Sequence, residues 1–251
     1  MLEIANHGAV REIRLARPPV NALSAALLAA LDEALAAAIR EADSSGGPRA
    51  LVLSGAPGMF SAGLDVREVM AGEASMQALI LGFAAVQKKL VHSPLPIVAA
   101  LTGHSPAGGA VLALLCDHRI MAAGAFRIGL NEVRVGLYPG ELIYRIYARI
   151  IGEQRAASWL SRGAMVLPEE ALAAGLVDEV VEPAKVLARA IELAGELAVL
   201  PPKVYARTRA LVRRDLVQLF DSPPESLESL MAAGWVTDET RTQMAKLLAP
   251  R

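Results

Sequence analysis

Two glycine-bearing segments contain the backbone groups of this chain that are best suited to catalysis. They are Phe60-Ser61-Ala62-Gly63-Leu64-Asp65 and Gly103-His104-Ser105-Pro106-Ala107-Gly108-Gly109. Each follows a short apolar run typical of a buried strand and precedes a helical pattern. The N–H groups at such a junction lack intrahelical partners and lie beside the positive end of a helix dipole. Two converging turns would donate to one oxygen, as an acyl-transfer or enolate-forming enzyme requires. Ordinary strand-to-helix turns have the same appearance, so the spacing alone leaves both interpretations open.

Two glutamates further along the chain are candidate acid/base groups. Glu132 stands alone in a turn-rich stretch, and such a residue is typically a solvated surface group. Glu141 stands at a predicted helix start, where the helix dipole favours an acid for structural reasons. Residue type and position alone therefore assign neither glutamate to catalysis.

Strands alternate with helices along the chain, which predicts an α/β fold. The predicted strands are 10–15, 50–53, 97–101, 119–122 and 177–181. Helices are predicted over 24–39, 77–92 and 108–115, around 143–150 and from 168, with helices only after 183. The segment 66–72 is expected to be short and mobile. Arg213 and Arg214 are interpreted as a surface pair, with contact to ligand phosphates across a subunit boundary as the alternative.

Bulk composition excludes several classes of function. The 251 residues are 54% hydrophobic, which suits one large domain or a core with an appendage. The net charge of −1 and the interspersed charges do not favour nucleic-acid binding. We expect no signal peptide, no membrane span and no metal site, and neither NAD nor ATP has a recognisable loop. The single cysteine, Cys116, is expected to be a packed thiol in a reducing compartment, which favours a cytoplasmic location.

The two glycine-bearing segments, taken with three further elements, resemble the crotonase (enoyl-CoA hydratase/isomerase) superfamily. The further elements are Pro18-Pro19-Val20-Asn21-Ala22-Leu23, Ile128-Gly129-Leu130-Asn131-Glu132-Val133 and Glu170-Ala171-Leu172-Ala173-Ala174-Gly175-Leu176-Val177-Asp178. The match runs in register from about residue 4 to about residue 185, and beyond it only the helical character agrees. The resemblance implies a crotonase (ClpP-like) spiral of ββα units with a C-terminal helical region. It further implies a core of residues 1–195 with the active site, and a region 196–251 that supports trimers or hexamers.

The same resemblance implies a site that binds an acyl-CoA thioester. The N–H groups of Leu64 and Gly108 would form an oxyanion hole for the thioester carbonyl. Coenzyme A would enter as part of the substrate, and no separate cofactor is expected. The residues implied to bind the substrate and its CoA group are Ala22, Leu23, Ala62, Gly63, Leu64, Asp65, Val66 and Gly108.

Register with the family makes Glu132 the implied catalytic acid/base. Hydratases of the family carry a second glutamate, and here that position is Val111, three residues after Gly108. Glu141 is a rival second acid, although a surface role at the helix start is favoured. The segments around Ala107 and Asn131 look more like the mitochondrial-type Δ3,Δ2-enoyl-CoA isomerase branch, which acts in fatty acid β-oxidation. The implied activity is double-bond isomerisation by one glutamate. A hydratase-like enzyme with one glutamate and a non-catalytic acyl-CoA-binding homologue remain alternatives, and the acyl chain length is not predicted.

Overall fold

Two sheets form the framework of the computed structural model, which describes residues 1–226, 229–230 and 235–248. The larger sheet contains, in spatial order, β1 (Leu2–His7), β2 (Val10–Leu15), β3 (Ala50–Ser54), β5 (Ile97–Leu101), β7 (His118–Ala122) and β9 (Glu179–Val181). The smaller sheet contains β4 (Gly58–Met59), β6 (Gly103–Pro106) and β8 (Ile128–Gly129). β1 pairs antiparallel with β2, and the other strand pairs are parallel.

Each of three successive strands of the larger sheet is followed by a short strand of the smaller one. The pairs are β3 with β4, β5 with β6, and β7 with β8. The first two pairs lead into the helices α2 (Val66–Met70) and α4 (Gly108–Leu114), and the third leads into a 3-10 turn at Glu132–Val135. This repeat is the predicted succession of ββα units, and it brings the ends of the three short strands side by side.

Further helices surround the sheets. They are α1 (Ala25–Glu41), α3 (Glu73–His92), α5 (Glu141–Ile151), α6 (Glu153–Arg162), α7 (Pro168–Ala173), α8 (Val186–Ala198), α9 (Pro202–Val212), α10 (Arg214–Asp221) and the last described helix, Asp238–Leu248. A second 3-10 turn spans Pro183–Lys185. None of the helices in the described residues is long and apolar enough to span a membrane.

The structure adds detail to two of the local segments considered above. Within the segment 66–72, which the sequence predicts to be short and mobile, residues 66–70 form a helix. The Asp65 side chain caps that helix by accepting a hydrogen bond from Arg67 N–H at 3.0 Å. The second glycine-bearing segment is less of a turn than expected, since residues 103–106 form β6 and Ala107 alone joins β6 to α4.

Alternation along the strands divides the interior into two cores. Within β3, Leu51 and Leu53 point into the larger core with α1, α3 and α4, whereas Val52 points into the smaller core. Successive side chains of a strand point to opposite faces, so one strand contributes side chains to both cores. The smaller core is closed by α8, which presents Ala190 and Ala194 to the sheet. The site described below lies on the side of the larger core.

A buried ionic cluster around Asp117 links the C-terminal helices to β5. The Asp117 carboxylate accepts hydrogen bonds from Ile97 N–H at 2.8 Å, Arg209 Nε at 3.0 Å and Arg213 Nη1 at 2.6 Å. Arg213 Nη2 also donates to Leu115 O at 2.6 Å. Both guanidinium groups are buried, so the interpretation of Arg213 as a surface residue is wrong. The predicted region 196–251 is thus joined to the core through α9, and its residues 227–228, 231–234 and 249–251 lie outside the described residues.

Asp117→Asn should destabilise the protein strongly. The amide keeps the shape of the side chain but leaves two buried guanidinium groups without their counter-charge, and such losses cost about 3–5 kcal/mol. Urea denaturation should show this fall in the free energy of unfolding. Asp221→Asn is the matched control, since Asp221 pairs with Lys88 at 3.0 Å on the surface, and it should cost less than about 1 kcal/mol. Equal effects of the two substitutions would contradict the structural role of the cluster.

Candidate active site

The backbone N–H groups of Leu64 and Gly108 lie close together, as the sequence predicts. A Cβ atom on Gly108 would lie 3.4 Å from Leu64 N, and a Cβ atom on Gly63 would lie 3.0 Å from Gly108 N. Among the described residues, neither N–H has a hydrogen-bond acceptor. Two unpaired donors at this spacing can bind one oxygen atom from adjacent directions.

The first donor is held by a short parallel bridge to Leu23. Leu23 N–H donates to Gly63 O at 2.8 Å, and Asp65 N–H donates to Leu23 O at 3.0 Å. Because alternate peptide groups of an extended segment point to opposite sides, this pairing turns the Leu64 N–H away from Leu23. Gly63 has a φ of +86°, a conformation that favours glycine. Asp65, two residues further along, is fixed by an ion pair with Arg17 at 2.7 Å.

The second donor is held by a strained residue. Ala107 has φ +47 and ψ −124, in a region that non-glycine residues rarely occupy and that costs about 1–3 kcal/mol. Its N–H donates to Gly129 O at 2.9 Å, and its carbonyl accepts from Val111 N–H at 3.0 Å. The next residue but one, Gly109, fits only without a side chain, because a Cβ there would lie 2.4 Å from Ser61 O. These contacts fix the direction of the Gly108 N–H at the start of α4.

A cavity of about 440 Å³ opens beside the two donors. Its wall nearest the donors is built by Ala62, Leu64, Val66, Ala107, Gly108, Val111, Asn131 and Glu132. The remaining wall is mainly apolar and comes from α3, α5, α10 and the last described helix, with Phe83, Leu142, Phe220 and Met244 among its residues. The cavity therefore joins a pair of donors and a carboxyl group to a mainly apolar space.

Glu132 is the carboxyl group of the donor wall. It is the first residue of the 3-10 turn, and its Oε2 atom is enclosed and has no hydrogen-bond partner within the described residues. Burial raises the pKa of Glu132 from 4.5 to about 7, against a smaller opposing effect of a backbone hydrogen bond. Such a group accepts and returns a proton near neutral pH.

The other glutamates near the cavity have different environments. The structure places Glu141 outside the cavity lining, with its carboxylate paired to Arg145 on the surface of α5. Glu225 does line the cavity, and sequence reasoning missed it. Its carboxylate accepts hydrogen bonds from Glu141 N–H at 2.8 Å and Tyr138 OH at 3.1 Å. These two hydrogen bonds anchor the segment after α10 to the start of α5.

The residues implied to contact the CoA group separate into two sets. Ala62, Leu64, Val66 and Gly108 line the cavity, whereas Ala22, Leu23, Gly63 and Asp65 are not among its lining residues. Leu23 supports the backbone of this segment through its hydrogen bonds with Gly63 and Asp65. Val111 lines the cavity and is almost fully buried, so the place of a second acid is apolar. The structure thus brings together the two donors, Glu132 and Val111 in one cavity.

Two buried polar side chains of this region escaped the sequence analysis. Gln87 lines the cavity from α3, and Tyr147 lies on the buried face of α5 with a hydroxyl that has no partner in the described part of the chain. Burial, and then the charge of nearby Glu132, raise the pKa of the Tyr147 phenol. Each follows the apolar spacing of its helix, so the pattern predicts a core position and gives no signal of a polar role.

Comparison with known proteins shows that the chain is similar to enoyl-CoA hydratases and isomerases. The sequence profile of the family described as enoyl-CoA hydratase/isomerase matches residues 5–223. The human peroxisomal bifunctional enzyme is 37% identical over 175 residues, and the match covers 70% of this chain and 23% of that enzyme, so the chain spans under a quarter of this relative's length. A probable enoyl-CoA hydratase of Rhizobium meliloti (strain 1021) is 30% identical over 251 residues, which is 100% of this chain and 95% of the relative.

A solved structure is similar over nearly the whole chain. The crystal structure of human mitochondrial delta3-delta2-enoyl-CoA isomerase superimposes with a TM-score of 0.90 at 28% sequence identity. The superposition covers 98% of this chain and 96% of that chain. This match confirms the crotonase fold predicted from the sequence motifs.

The raised pKa of Glu132 should make stability depend on pH. A carboxyl with a folded pKa of about 7 and an unfolded pKa of 4.5 holds its proton only in the folded state across that window. The contribution of the Glu132 proton to the free energy of unfolding is therefore complete below pH 4.5 and is lost as the pH rises through 7. The free energy of unfolding of the wild type should fall relative to Glu132→Gln by about 2–3 kcal/mol over this range.

Urea denaturation at a series of pH values measures this difference. Glu141→Gln makes the same change outside the cavity and controls for the loss of a charge. A constant difference between the wild type and Glu132→Gln across the window would contradict the raised pKa.

Proposed function

Since the chain belongs to the enoyl-CoA hydratase/isomerase family, we propose that it moves the double bond of a 3-enoyl-CoA to give 2-trans-enoyl-CoA. One observation carries the proposal. Among the described residues, the cavity beside the Leu64 and Gly108 N–H groups contains one carboxyl group without a hydrogen-bond partner, Glu132. The apolar Val111 stands where a hydratase needs a second acid.

The two N–H groups would bind the thioester carbonyl oxygen. Removal of a proton from C2 places negative charge on that oxygen, and fixed donors stabilise the charge without reorganising. Loss of one such donor typically costs about 3–4 kcal/mol in the barrier. The donors belong to the backbone, so the Leu64 side chain takes no part in the chemistry.

Glu132 would carry the proton between the two carbon atoms. Its carboxylate takes the proton from C2, the electron pair spreads over the dienolate, and the carboxylic acid returns the proton to C4. The double bond then lies between C2 and C3, and Glu132 is again ionised. A pKa of about 7 suits both halves of this transfer, because neither form of the carboxyl group is strongly disfavoured near neutral pH.

Hydration of a 2-enoyl-CoA is the alternative, and the similarity to a probable enoyl-CoA hydratase supports it. Hydration needs a water molecule held from two sides. Val111 offers that water no polar atom, and Glu225 already accepts hydrogen bonds from Tyr138 OH and Glu141 N–H. These contacts favour isomerisation over hydration. Assembly as a trimer or hexamer and a place in β-oxidation remain predictions of the family resemblance, and a cytoplasmic location remains a prediction from the single cysteine.

Glu132→Gln should abolish most isomerase turnover while leaving the fold intact. The amide is nearly isosteric with the carboxyl group but cannot accept the C2 proton, and removal of a positioned acid/base group lowers the rate about 10²- to 10⁴-fold. The assay follows conversion of trans-3-hexenoyl-CoA to its conjugated isomer. Glu141→Gln is the matched control and should retain turnover. A Glu132→Gln enzyme with wild-type kcat would show that another group carries the proton.

Val111→Glu should introduce measurable hydration of crotonyl-CoA. A carboxylate at this position adds the second partner that a bound water needs, although burial raises its pKa and limits the gain. We expect the wild type to isomerise a 3-enoyl-CoA far faster than it hydrates crotonyl-CoA, and the variant to narrow this ratio. Val111→Leu controls for the change in cavity volume. Brisk crotonyl-CoA hydration by the wild type would return the protein to the hydratase class.

A further inference from the structure

Gln87 is a buried polar residue on α3, where the other residues that line the cavity are apolar except its neighbour Lys88. It lies on α3 among Ile80, Phe83 and Ala84, which line the same cavity. The residue is 5% exposed, and its Oε1 atom is enclosed. In the described part of the chain, the amide makes no hydrogen bond to protein, although its neighbour Lys88 is paired with Asp221 at 3.0 Å.

An unpaired amide in this position discriminates between occupants of the cavity. Water can satisfy it while the cavity is empty. An unsubstituted acyl chain would displace that water and leave the amide without a partner, which is unfavourable in apolar surroundings. A chain that carries an oxygen atom near Gln87 would restore the hydrogen bond. Sites with a buried polar group reject analogues that cannot pair with it.

The chemistry of the wall indicates what kind of oxygen fits. The Gln87 amide can donate through its NH₂ group or accept through its oxygen after rotation, so it can pair with a hydroxyl or a keto group. A carboxylate would need a cation to offset its burial, and the cation beside Gln87, Lys88, is engaged by Asp221. A neutral oxygen therefore fits better than a charged one.

We propose that the Gln87 amide binds an oxygen atom on the acyl chain, so that the preferred substrates are CoA thioesters with a hydroxyl or keto group beyond the reacting carbons. This inference rests on the proposed function, because it takes the cavity to hold the acyl chain. The oxygen lies beyond C4, since the Leu64 and Gly108 N–H groups and Glu132 serve carbons 1 to 4 from a different wall. Gln87 is thus a specificity-determining residue for the same site.

Binding of unreactive ligands tests the inference without turnover. The probes are octanoyl-CoA and octanoyl-CoA with one hydroxyl group at carbon 5, 6, 7 or 8, titrated calorimetrically into the wild type. At least one hydroxylated ligand should bind about tenfold more tightly than octanoyl-CoA, since one hydrogen bond to an otherwise unpaired group has about this effect. Gln87→Met, which keeps the length of the side chain and removes the amide, should abolish this preference and bind octanoyl-CoA more tightly.

Two controls separate the amide from other causes. Gln154→Met makes the same substitution on the exposed surface of α6 and should leave every affinity unchanged. Phe83→Leu alters the apolar wall without a polar atom and should change the affinities of all ligands alike. Equal affinities across the series in the wild type, or a preference that survives in Gln87→Met, would overturn the inference while leaving the proposed function intact. If neither octanoyl-CoA nor any hydroxylated form binds, both proposals are overturned.

Discussion

The close approach of two backbone segments, at Gly63–Leu64 and at Ala107–Gly108, is the constraint on which the rest of the site depends. The sheets make the approach possible because β3 and β5 are neighbours in one sheet, and β4 and β6 are neighbours in the other. The segments that follow β4 and β6 therefore leave the smaller sheet side by side. The approach excludes a side chain at Gly109 and imposes a strained conformation on Ala107. A hydrogen bond from Ala107 N–H to Gly129 O of β8, and one from Val111 N–H of α4 to Ala107 O, hold that conformation in place.

The chemistry of the cavity follows from which polar groups have partners. Asp65 and Glu225 accept hydrogen bonds from neighbouring donors. The Oε2 atom of Glu132 is enclosed without such donors among the described residues, so desolvation dominates and raises the pKa of this carboxyl group. This enclosure suits Glu132 to exchange a proton near neutral pH.

The sequence predicts the parts of the structure that local patterns determine. The strands at 10–15 and 97–101 agree residue for residue, because alternation and continuous apolar runs are strong local signals. The five-residue helix α2 could not be predicted in this way, since its start depends on Asp65, which is itself fixed by the distant Arg17. The short strands of the smaller sheet were also not predicted from the sequence, because a strand of two to four residues shows too little periodicity.

The site shows the same division between local and tertiary information. The family motifs led to Leu64, Gly108 and Glu132, and the structure brings them to one cavity. Gln87 and Glu225 could not be found from the sequence, since their position at the cavity results from the packing of α3 and of the segment after α10. Likewise, a pair of adjacent arginines is typical of a surface, and only the buried Asp117 accounts for the burial of Arg213.

The cluster around Asp117 also has a consequence for the order in which the protein can mature on the ribosome. The carboxylate is synthesised with the core strands, whereas Arg209 follows 92 residues later and Arg213 follows 96 residues later. Until those arginines emerge, a nascent core would have to enclose a carboxylate without its counter-charge, which is strongly unfavourable. Burial of the Asp117 carboxylate therefore waits for the C-terminal helices. The cavity wall is also completed late in synthesis, because Phe220 and Met244 line it.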